Sequence, residues 1–345
     1  MKRAFLIALV LLTAGAIASC TTPTGETGAS SYDPFADREK QTGEKTVGLG
    51  INSYDREVAF DGGRATFHVN LTAGGNDCDY GFLLFVEGVS TPFRLDESEE
   101  ATMHALFLED KETRTLTFDF VPPVGEQGDM LTVNLLLTPW LDRVPTFTTG
   151  DSSFGFADKS DKLSFSLTMN APAPNQPAET VSEVAPRPLT DEDRALLRLG
   201  EGAYTQAEYD YAVAQQSLPE EERDPSAHLR QNDFFGYGET MWVSHFEQEK
   251  SEPLTYTFAL IGPFDYTYRV TFFVDHKPVR SLEGNDAILL TGGMERICTL
   301  TQSYVLSGYD GTAVVYAVAV PVTETENEYA TPFCLKSNML GVILQ

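Results

Sequence analysis

The segment Arg64-Ala-Thr-Phe-His-Val-Asn-Leu71 alternates apolar and polar residues with a period of two. Phe67, Val69 and Leu71 would lie on one face of an extended strand, and the polar residues between them on the other. The same alternation returns in the segments 116–120, 131–137 and 163–169. Short strands of this kind, separated by Gly, Pro and Asp turns, predict an antiparallel β-sandwich over residues 46–170.

Residues 238–345 repeat this pattern in the same order. Lys159-Ser-Asp-Lys-Leu163-Ser-Phe-Ser-Leu167 matches Lys336-Ser-Asn-Met-Leu340-Gly-Val-Ile-Leu344 in its Lys-Ser pair and its apolar alternation. The other matching segments are Thr66-Phe67 with Thr257-Phe258, Phe85-Val-Glu-Gly and Pro92-Phe-Arg-Leu95 with Phe273-Val-Asp-His and Pro278-Val-Arg-Ser-Leu282, and Leu131–Pro139 with Val314–Pro321. We therefore predict two divergent copies of one sandwich, with the apolar residues of 163–167 in the core positions of those of 340–344.

Each copy has a strand that ends in Phe-Val-Glu or Phe-Val-Asp, followed by a turn, Pro-x-Arg and a short second strand. This arrangement resembles the hairpin of the immunoglobulin-like modules of bacterial surface proteins. The resemblance covers most of both copies and implies architecture alone, because the Cys…Trp…Cys core signature is absent and Trp140 and Trp242 are not in equivalent positions. The predicted fold class is all-β, with two tandem antiparallel immunoglobulin-like β-sandwiches.

Residues 171–237 separate the two predicted sandwiches. The segment begins with a Pro- and Ala-rich stretch, which favours extended backbone. Thr190 and Thr205 then each precede a short apolar run with acids in its first turn, as at the start of a helix. We predict a proline-rich, partly helical linker that packs against a sandwich or spans the gap between the two.

The N-terminus has the parts of an export signal: the cations Lys2 and Arg3, the apolar run Ala4–Leu12, and small residues that lead to Cys20. This order resembles the signal of bacterial lipoproteins. The resemblance implies removal of residues 1–19 and attachment of lipid to Cys20. A secretory signal with an unmodified Cys20 is the alternative. The apolar run is shorter than the ~20 residues that a membrane-spanning helix needs.

The composition bounds the surroundings and partners of the exported chain. Residues 20–45 are polar and predict a disordered tether behind the lipid. The formal net charge is −27, and becomes −29 when Lys2 and Arg3 leave with the signal. Such a field repels nucleic acid and anionic lipid headgroups, so we predict no nucleic-acid partner. We predict an extracytoplasmic protein held by its lipid at the cell membrane or the outer membrane. Acidity that serves solubility alone is the simpler interpretation of the charge.

Three cysteines remain beside Cys20. Cys298 and Cys334 fall in one predicted sandwich and form a candidate disulfide outside the cytoplasm, whereas Cys78 stands alone. The sequence leaves this bridge open, because sequence separation does not fix the distance between two Cα atoms. No CxxC or Cys/His spacing of a zinc site is present.

The motifs of common hydrolases are missing from the sequence. It contains no Gly-x-Ser-x-Gly, Ser-x-x-Lys or His-Glu-x-x-His stretch. His68 and His104 alternate with apolar neighbours and are predicted on the solvent face of strands, and His276 falls in the turn 275–278. We predict that the protein is not an enzyme. A hydrolase with paired carboxylates in a cleft between the domains is an alternative.

Two segments are candidates for ligand contact. Asn76-Asp-Cys-Asp79 lies between two strands and could contribute to a calcium site, but it lacks the ligand spacing of an EF-hand loop. A polar turn is the favoured interpretation, and we predict no cofactor. An aromatic group stands at the entrance to the second copy and could anchor a glycan or protein ligand, or be buried against the linker: Phe234, Phe235, Tyr237 and Trp242.

Together these features predict a membrane-anchored binding, adhesion or envelope-structural module with an unknown protein or glycan ligand. Loops at the ends of sandwiches can vary without disturbing the core, which suits such roles. A carbohydrate-binding or nutrient-capture lipoprotein is the first alternative, and a row of exposed aromatic residues would favour it.

Overall fold

A computed structural model of the chain describes residues 47–75, 77–139, 161–174, 176, 178–197, 199, 204–205, 207, 210, 214, 234–236, 245–262, 265–322, 334–337 and 339–345. The predicted signal, Cys20 and the tether lie outside these residues. The described residues all belong to one compact unit. Within the described ranges, no helix has the length and apolar composition needed to cross a membrane.

The first sandwich consists of two packed sheets. In chain order its strands are β1 (Gly48–Tyr54), β2 (Glu57–Phe60), β3 (Ala65–Gly74), β4 (Cys78–Val86), β5 (Val89–Ser90), β6 (Phe93–Leu95), β7 (Met103–Leu108), β8 (Thr113–Phe120), β9 (Met130–Pro139) and β10 (Asp161–Met169). Sheet A has the order β1-β3-β8-β6. Sheet B has the order β2-β10-β9-β4, and β4 also pairs with both β5 and β7.

The predicted alternation in β3 is confirmed. Phe67, Val69 and Leu71 are buried in the core between sheets A and B. The Phe67 ring stacks on Phe118 of the same sheet at 4.7 Å and lies 4.4 Å from the ring of Phe165 in sheet B. Contacts between aromatic side chains therefore join the two sheets.

The second sandwich has the same two-sheet construction. In chain order its elements are β11 (Val181–Val184), β12 (Arg187–Pro188), α1 (Asp191–Leu196), β13 (Phe234–Gly236), β14 (His245–Gln248), β15 (Leu254–Ile261), β16 (Thr267–Val274), β17 (Lys277–Pro278), β18 (Ala287–Thr291), β19 (Arg296–Tyr304), β20 (Thr312–Pro321), β21 (Leu335–Lys336) and β22 (Leu340–Leu344). Sheet C has the order β11-β18-β16-β20-β22-β14, with β17 beside β16 and β21 beside β20. Sheet D has the order β12-β19-β15-β13.

The two sandwiches share the pairing order of their central strands, while β11 and β12 are additional edge strands of the second. In each, a parallel edge strand, β2 or β14, pairs with the last long strand, β10 or β22. The turns after β4 and β16 also match, because Glu87 and Asp275 both have positive φ, 49° and 46°. The carboxylate of Glu87 accepts the backbone N–H of Thr132. The carboxylate of Asp275 accepts the backbone N–H of Val314 at 2.8 Å.

The prediction of an all-β chain with two tandem β-sandwiches is confirmed.

The predicted alignment of the last strands is wrong by two residues. Phe165 pairs with Val133, and Leu340 pairs with Val315. These two valines are equivalent, since each also pairs with the last residue of the central hairpin strand, β4 or β16. Leu340 therefore corresponds to Phe165 rather than to Leu163. The reason is that β10 is continuous, whereas β21 and β22 are separate strands.

The predicted match of Pro92 with Pro278 is also out of register. Ser90 pairs with Phe85, and Pro278 pairs with the equivalent Phe273. Pro278 therefore corresponds to Ser90. The short strands β5 and β17 still occupy the same place in their sheets, which is what the repeat predicts.

Part of the predicted linker belongs to the second sandwich. Val181–Val184 pair in parallel with β18, and Arg187–Pro188 pair antiparallel with β19. Phe234–Gly236, at the other end of the predicted linker, pair with β15. The physical reason is that a sheet edge offers unpaired N–H and C=O groups, which an extended segment satisfies. Proline content predicted the extended backbone but not its pairing.

The helix α1 follows directly and is capped at its start. Thr190 is the N-cap, and its hydroxyl accepts the backbone N–H of Asp193 while the Asp193 carboxylate accepts the backbone N–H of Thr190. Arg187 donates two hydrogen bonds to the same carboxylate, at 2.6 and 2.7 Å. The Arg187 hydrogen bonds lower the pKa of Asp193 well below its ordinary 3.8. The carboxylate therefore contributes most to stability when it is ionised.

We expect Asp193→Asn to lower the free energy of unfolding by about 1–2 kcal/mol at pH 7. Because the pKa of Asp193 is lower in the folded chain than its ordinary 3.8, this contribution is complete above that pH and is lost as the pH falls below it. Urea denaturation at pH 7 and pH 3 measures the difference. Glu192→Gln, an exposed neighbour, is the control with the same charge change. An equal effect of both variants would contradict the assignment.

Candidate functional site

The two sandwiches meet where the outer surface of sheet B packs on that of sheet C. We call the buried side chains at this contact the central layer. None of them is more than 6% exposed. They are Leu83, Phe85 and Leu136 from the first sandwich, and Phe273, Val314, Tyr316, Val318, Val320, Cys334 and Met339 from the second.

The strands of the central layer are buried on both faces. In β4, Phe82, Leu84 and Val86 point into the core of the first sandwich, while Leu83 and Phe85 point into the central layer. The sequence signal for this is a continuous apolar run, which is typical of a strand covered on both sides. Alternation in the sequence indicates only the inward residues, and therefore does not predict the central layer.

Equivalent residues of the two copies meet in the central layer. The rings of Phe85 and Phe273 contact edge to face with their centroids 6.2 Å apart. Phe273 also stacks on Tyr316 at 5.2 Å. Contact between equivalent positions is the property of an isologous interface, in which one surface packs on its own counterpart. Here the two surfaces belong to the two copies within one chain.

A glycine at the edge of the central layer allows a close approach. Gly88 has φ +74°, and a Cβ atom at this position would lie 2.9 Å from Cδ of Arg269. The Arg269 guanidinium forms an ion pair with Glu179. Arg269 of β16 thus contacts two other segments: the turn between β4 and β5 of the first sandwich, and the residues before β11.

A polar cluster lies beside the central layer. The His276 Nδ1 atom lies 3.1 Å from the Tyr316 hydroxyl, and the Lys336 ammonium lies 6.0 Å from the centre of the Tyr316 ring. Burial lowers the pKa of His276 to about 4. The negative charge of Asp275 raises this pKa, and the positive charge of Lys336 lowers it. Burial also raises the pKa of Tyr316. Both groups are therefore neutral near pH 7, and neither is adjusted for proton transfer at that pH.

The candidate disulfide between Cys298 and Cys334, which the sequence left open, is not formed; both are free, buried thiols. Cys298 lies in the core between sheets C and D, where its thiol donates to the Val184 carbonyl at 3.1 Å. Cys334 lies in the central layer on the opposite side of sheet C. The physical reason is that the sheet separates the two sulfur atoms. Burial raises the pKa of Cys334 to about 12, so this thiol is a poor nucleophile.

We expect Cys298 and Cys334 to resist alkylation in the native chain and to react fully in denaturant without reductant. In the native chain, burial keeps the reagent away from both thiols. In denaturant both thiols are exposed, and they can react without reductant because no disulfide joins them. Intact mass and peptide mapping give the readout. Protection that persisted in denaturant and disappeared on reduction would show a disulfide.

The loop with the candidate calcium ligands is held by hydrogen bonds to Asp110, in the turn that follows β7. Asp77 accepts the backbone N–H of Asp110 at 2.9 Å, and Asp110 accepts that of Gly75 at 3.0 Å. Asn76 lies outside the described residues. Among the residues that are described, no three His, Cys, Asp or Glu side chains lie together as metal ligands would.

The histidines on strands of the first sandwich have local partners. His68 lies on the exposed face of sheet A, with its Nδ1 atom 2.9 Å from the Asp55 carboxylate. His104 is half-buried, and its Nε2 atom lies 2.7 Å from the Phe93 carbonyl oxygen. These contacts account for both rings as structural groups.

The aromatic residues singled out at the entrance to the second sandwich are only partly described. Phe234 and Phe235 lie in β13, where their backbones pair with Ile261 and Leu260. Their side chains lie outside the description, as do Tyr237 and Trp242. Burial against the linker and ligand contact, the two interpretations of this group, are therefore both untested by the structure.

The exposed face of sheet A carries a network of short polar side chains. Asn52 donates to Asn70 at 2.7 Å and to Thr72 at 2.9 Å. Asn70 donates to Thr115 at 2.8 Å, and the Thr72 and Thr113 hydroxyls are 2.7 Å apart. These cross-strand contacts hold the side chains in place and give a hydrophilic surface.

No protein-family model and no curated protein matches this sequence. Similar solved structures include the CARDB domain of a Pyrococcus furiosus protein in complex with di-metal ions, with 16% identity, TM-score 0.22 and coverage of 36% of this chain and 87% of that one. The CupB2 chaperone of Pseudomonas aeruginosa has 7% identity and TM-score 0.21, over 82% of this chain and 98% of that one. A Porphyromonas gingivalis protein of unknown function has 12% identity and TM-score 0.21, over 86% and 99%. Similarities of this size carry no functional conclusion.

Proposed function

We propose that the protein is a lipid-anchored, extracytoplasmic binding or envelope-structural module whose two sandwiches act as one body. The observation that carries this proposal is the central layer, in which Phe85 of one copy packs against Phe273 of the other. A module that presents surfaces to a partner gains affinity when those surfaces are held in fixed positions, because less entropy is lost on binding. The central layer supplies that fixed arrangement.

The surfaces left outside the central layer suit a binding role. Sheet A presents the hydrogen-bonded polar face that includes Asn70 and Thr115. The neutral state of His276 and Tyr316 and the raised pKa of Cys334 supply no activated acid, base or nucleophile beside the central layer. We propose that the module binds or supports rather than catalyses.

The proposed anchor is tested by detergent partitioning. We expect the full-length protein, expressed in a bacterium that processes lipoproteins, to enter the detergent phase of a Triton X-114 extraction. Cys20→Ser should move it to the aqueous phase, because the lipid is then absent. Thr22→Ser, two residues further on, is the matched control and should partition as the original chain does. Equal partitioning of Cys20→Ser and the original chain would contradict the anchor.

A further inference from the structure

Strands β7 and β18 occupy the same position in the two copies. Tyr80 of β4 pairs with Leu106 of β7, and Tyr268 of β16 pairs with Leu290 of β18. Tyr80 and Tyr268 are equivalent, because each also pairs with the proline that ends the next strand of its sheet, β9 or β20. Leu106 therefore corresponds to Leu290, and the two strands have the same register.

The two strands differ at their outer edge. In the second sandwich β11 pairs in parallel with β18, with Val181 opposite Ala287 and Val184 opposite Leu290. In the first sandwich no strand of the described ranges pairs with the outer edge of β7. Alternate residues of β7 thus direct backbone N–H and C=O groups away from the sheet, as an edge strand does.

Burial records the consequence of this difference. Leu290 is 0% exposed and Ile288 is 3% exposed, whereas the equivalent Leu106 and His104 are only half-buried. Phe107 of β7 is 52% exposed. Leu106 and Phe107 therefore have the exposure expected of an edge that no strand of the described residues covers, whereas Leu108 at the end of β7 is buried.

The edge of β7 lacks the usual protection against pairing. Natural edge strands carry lysine, proline or a bulge that prevents another strand from adding. The sequence Met-His-Ala-Leu-Phe-Leu of β7 contains neither lysine nor proline. Acidic residues outnumber basic ones on both sides of it. Glu99 and Glu100 precede the strand, and Glu100 is paired with Arg64. Glu109, Asp110 and Glu112 follow it, and the Lys111 ammonium lies 3.6 Å from the Asp110 carboxylate.

We propose that the outer edge of β7 binds an extended, cationic segment of a partner protein, which adds in parallel as β11 adds to β18. The backbone of the segment would pair with β7, and its lysine or arginine residues would approach the acids at both ends of the strand. This inference rests on the proposed binding function and names its partner surface. A second molecule of this chain is disfavoured as the occupant, because each exported chain has a formal charge of −29 (−27 less the charges of Lys2 and Arg3) and the same acids would face each other.

A synthetic peptide that imitates β11 tests the proposal on the full-length protein. The probe has the sequence of residues 179–187 with Glu179→Lys and Glu183→Lys, and its binding is followed by fluorescence anisotropy. We expect saturable binding that weakens at least about tenfold with the unmodified, acidic sequence and also weakens with added salt. Methylation of alternate backbone nitrogens of the probe should abolish binding, since the N–H donors are removed. Amide hydrogen exchange within residues 103–108 should slow when the probe binds.

Ala105→Lys places a charge on the exposed edge and should weaken binding of the probe at least about tenfold. Thr255→Lys, an exposed residue of sheet D, is the matched control and should leave binding unchanged. Binding that survives Ala105→Lys, or no binding of the cationic probe to the folded protein up to about 1 mM, would overturn the proposal. A concentration-dependent dimer in sedimentation that Ala105→Lys dissociates would assign the edge to a second copy instead. Detergent partitioning of Cys20→Ser is independent of these results and separates their failure from failure of the anchor.

Discussion

Gly88→Val should lower the free energy of unfolding by about 2–5 kcal/mol. Two costs combine at this position. A β-branched residue is strained at φ +74°. Its Cβ would also lie 2.9 Å from Arg269 Cδ and 3.1 Å from a methyl carbon of Val322, so these buried or half-buried side chains would have to shift. Equilibrium denaturation in guanidinium chloride gives the free energy.

Gly128→Val is the matched control for this variant. Gly128 also has positive φ, +99°, but a Cβ at this position would have no atom within 4 Å. Its cost should therefore be that of the backbone alone, about 1–3 kcal/mol. Equal losses in Gly88→Val and Gly128→Val would show that the turn of the first sandwich does not press on Arg269.

Phe85→Ala and Phe273→Ala should each lower the free energy of unfolding by about 3–5 kcal/mol, because each removes a fully buried aromatic ring. The double variant should lose about 0.5–1.5 kcal/mol less than the sum of the two, since the rings contact each other. A thermodynamic cycle from chemical denaturation measures this coupling across the two sandwiches.

Phe107→Ala is the control for ring removal. This side chain is 52% exposed, so its loss should change the free energy of unfolding by about 0.5 kcal/mol or less. Full additivity of Phe85→Ala and Phe273→Ala would mean that the two rings do not interact in solution.

Period-two alternation was enough to predict both sandwiches. In β3 the three inward residues Phe67, Val69 and Leu71 are all buried, and their polar neighbours lie outside the core. The matched turns at Glu87 and Asp275 explain why the repeat was visible, because both keep a carboxylate that binds the backbone of the next strand. These features depend on short stretches of sequence.

The features that sequence did not predict depend on contacts between distant segments. Whether Leu83 and Phe85 are covered is decided by sheet C, which lies far away along the chain. The separation of Cys298 from Cys334 is decided by the side of the sheet on which each lies. The pairing of Val181–Val184 is decided by the free edge of β18. Alternation within a segment contains no information on any of these.

Differential scanning calorimetry of the exported chain tests most directly the claim that the central layer joins the two sandwiches into one body. The account predicts a single transition whose calorimetric and van't Hoff enthalpies agree, because unfolding of either sandwich exposes the central layer of the other. Phe85→Ala should lower the temperature of that single transition for the whole chain. Two separate transitions, only one of which moves in Phe85→Ala, would contradict the account.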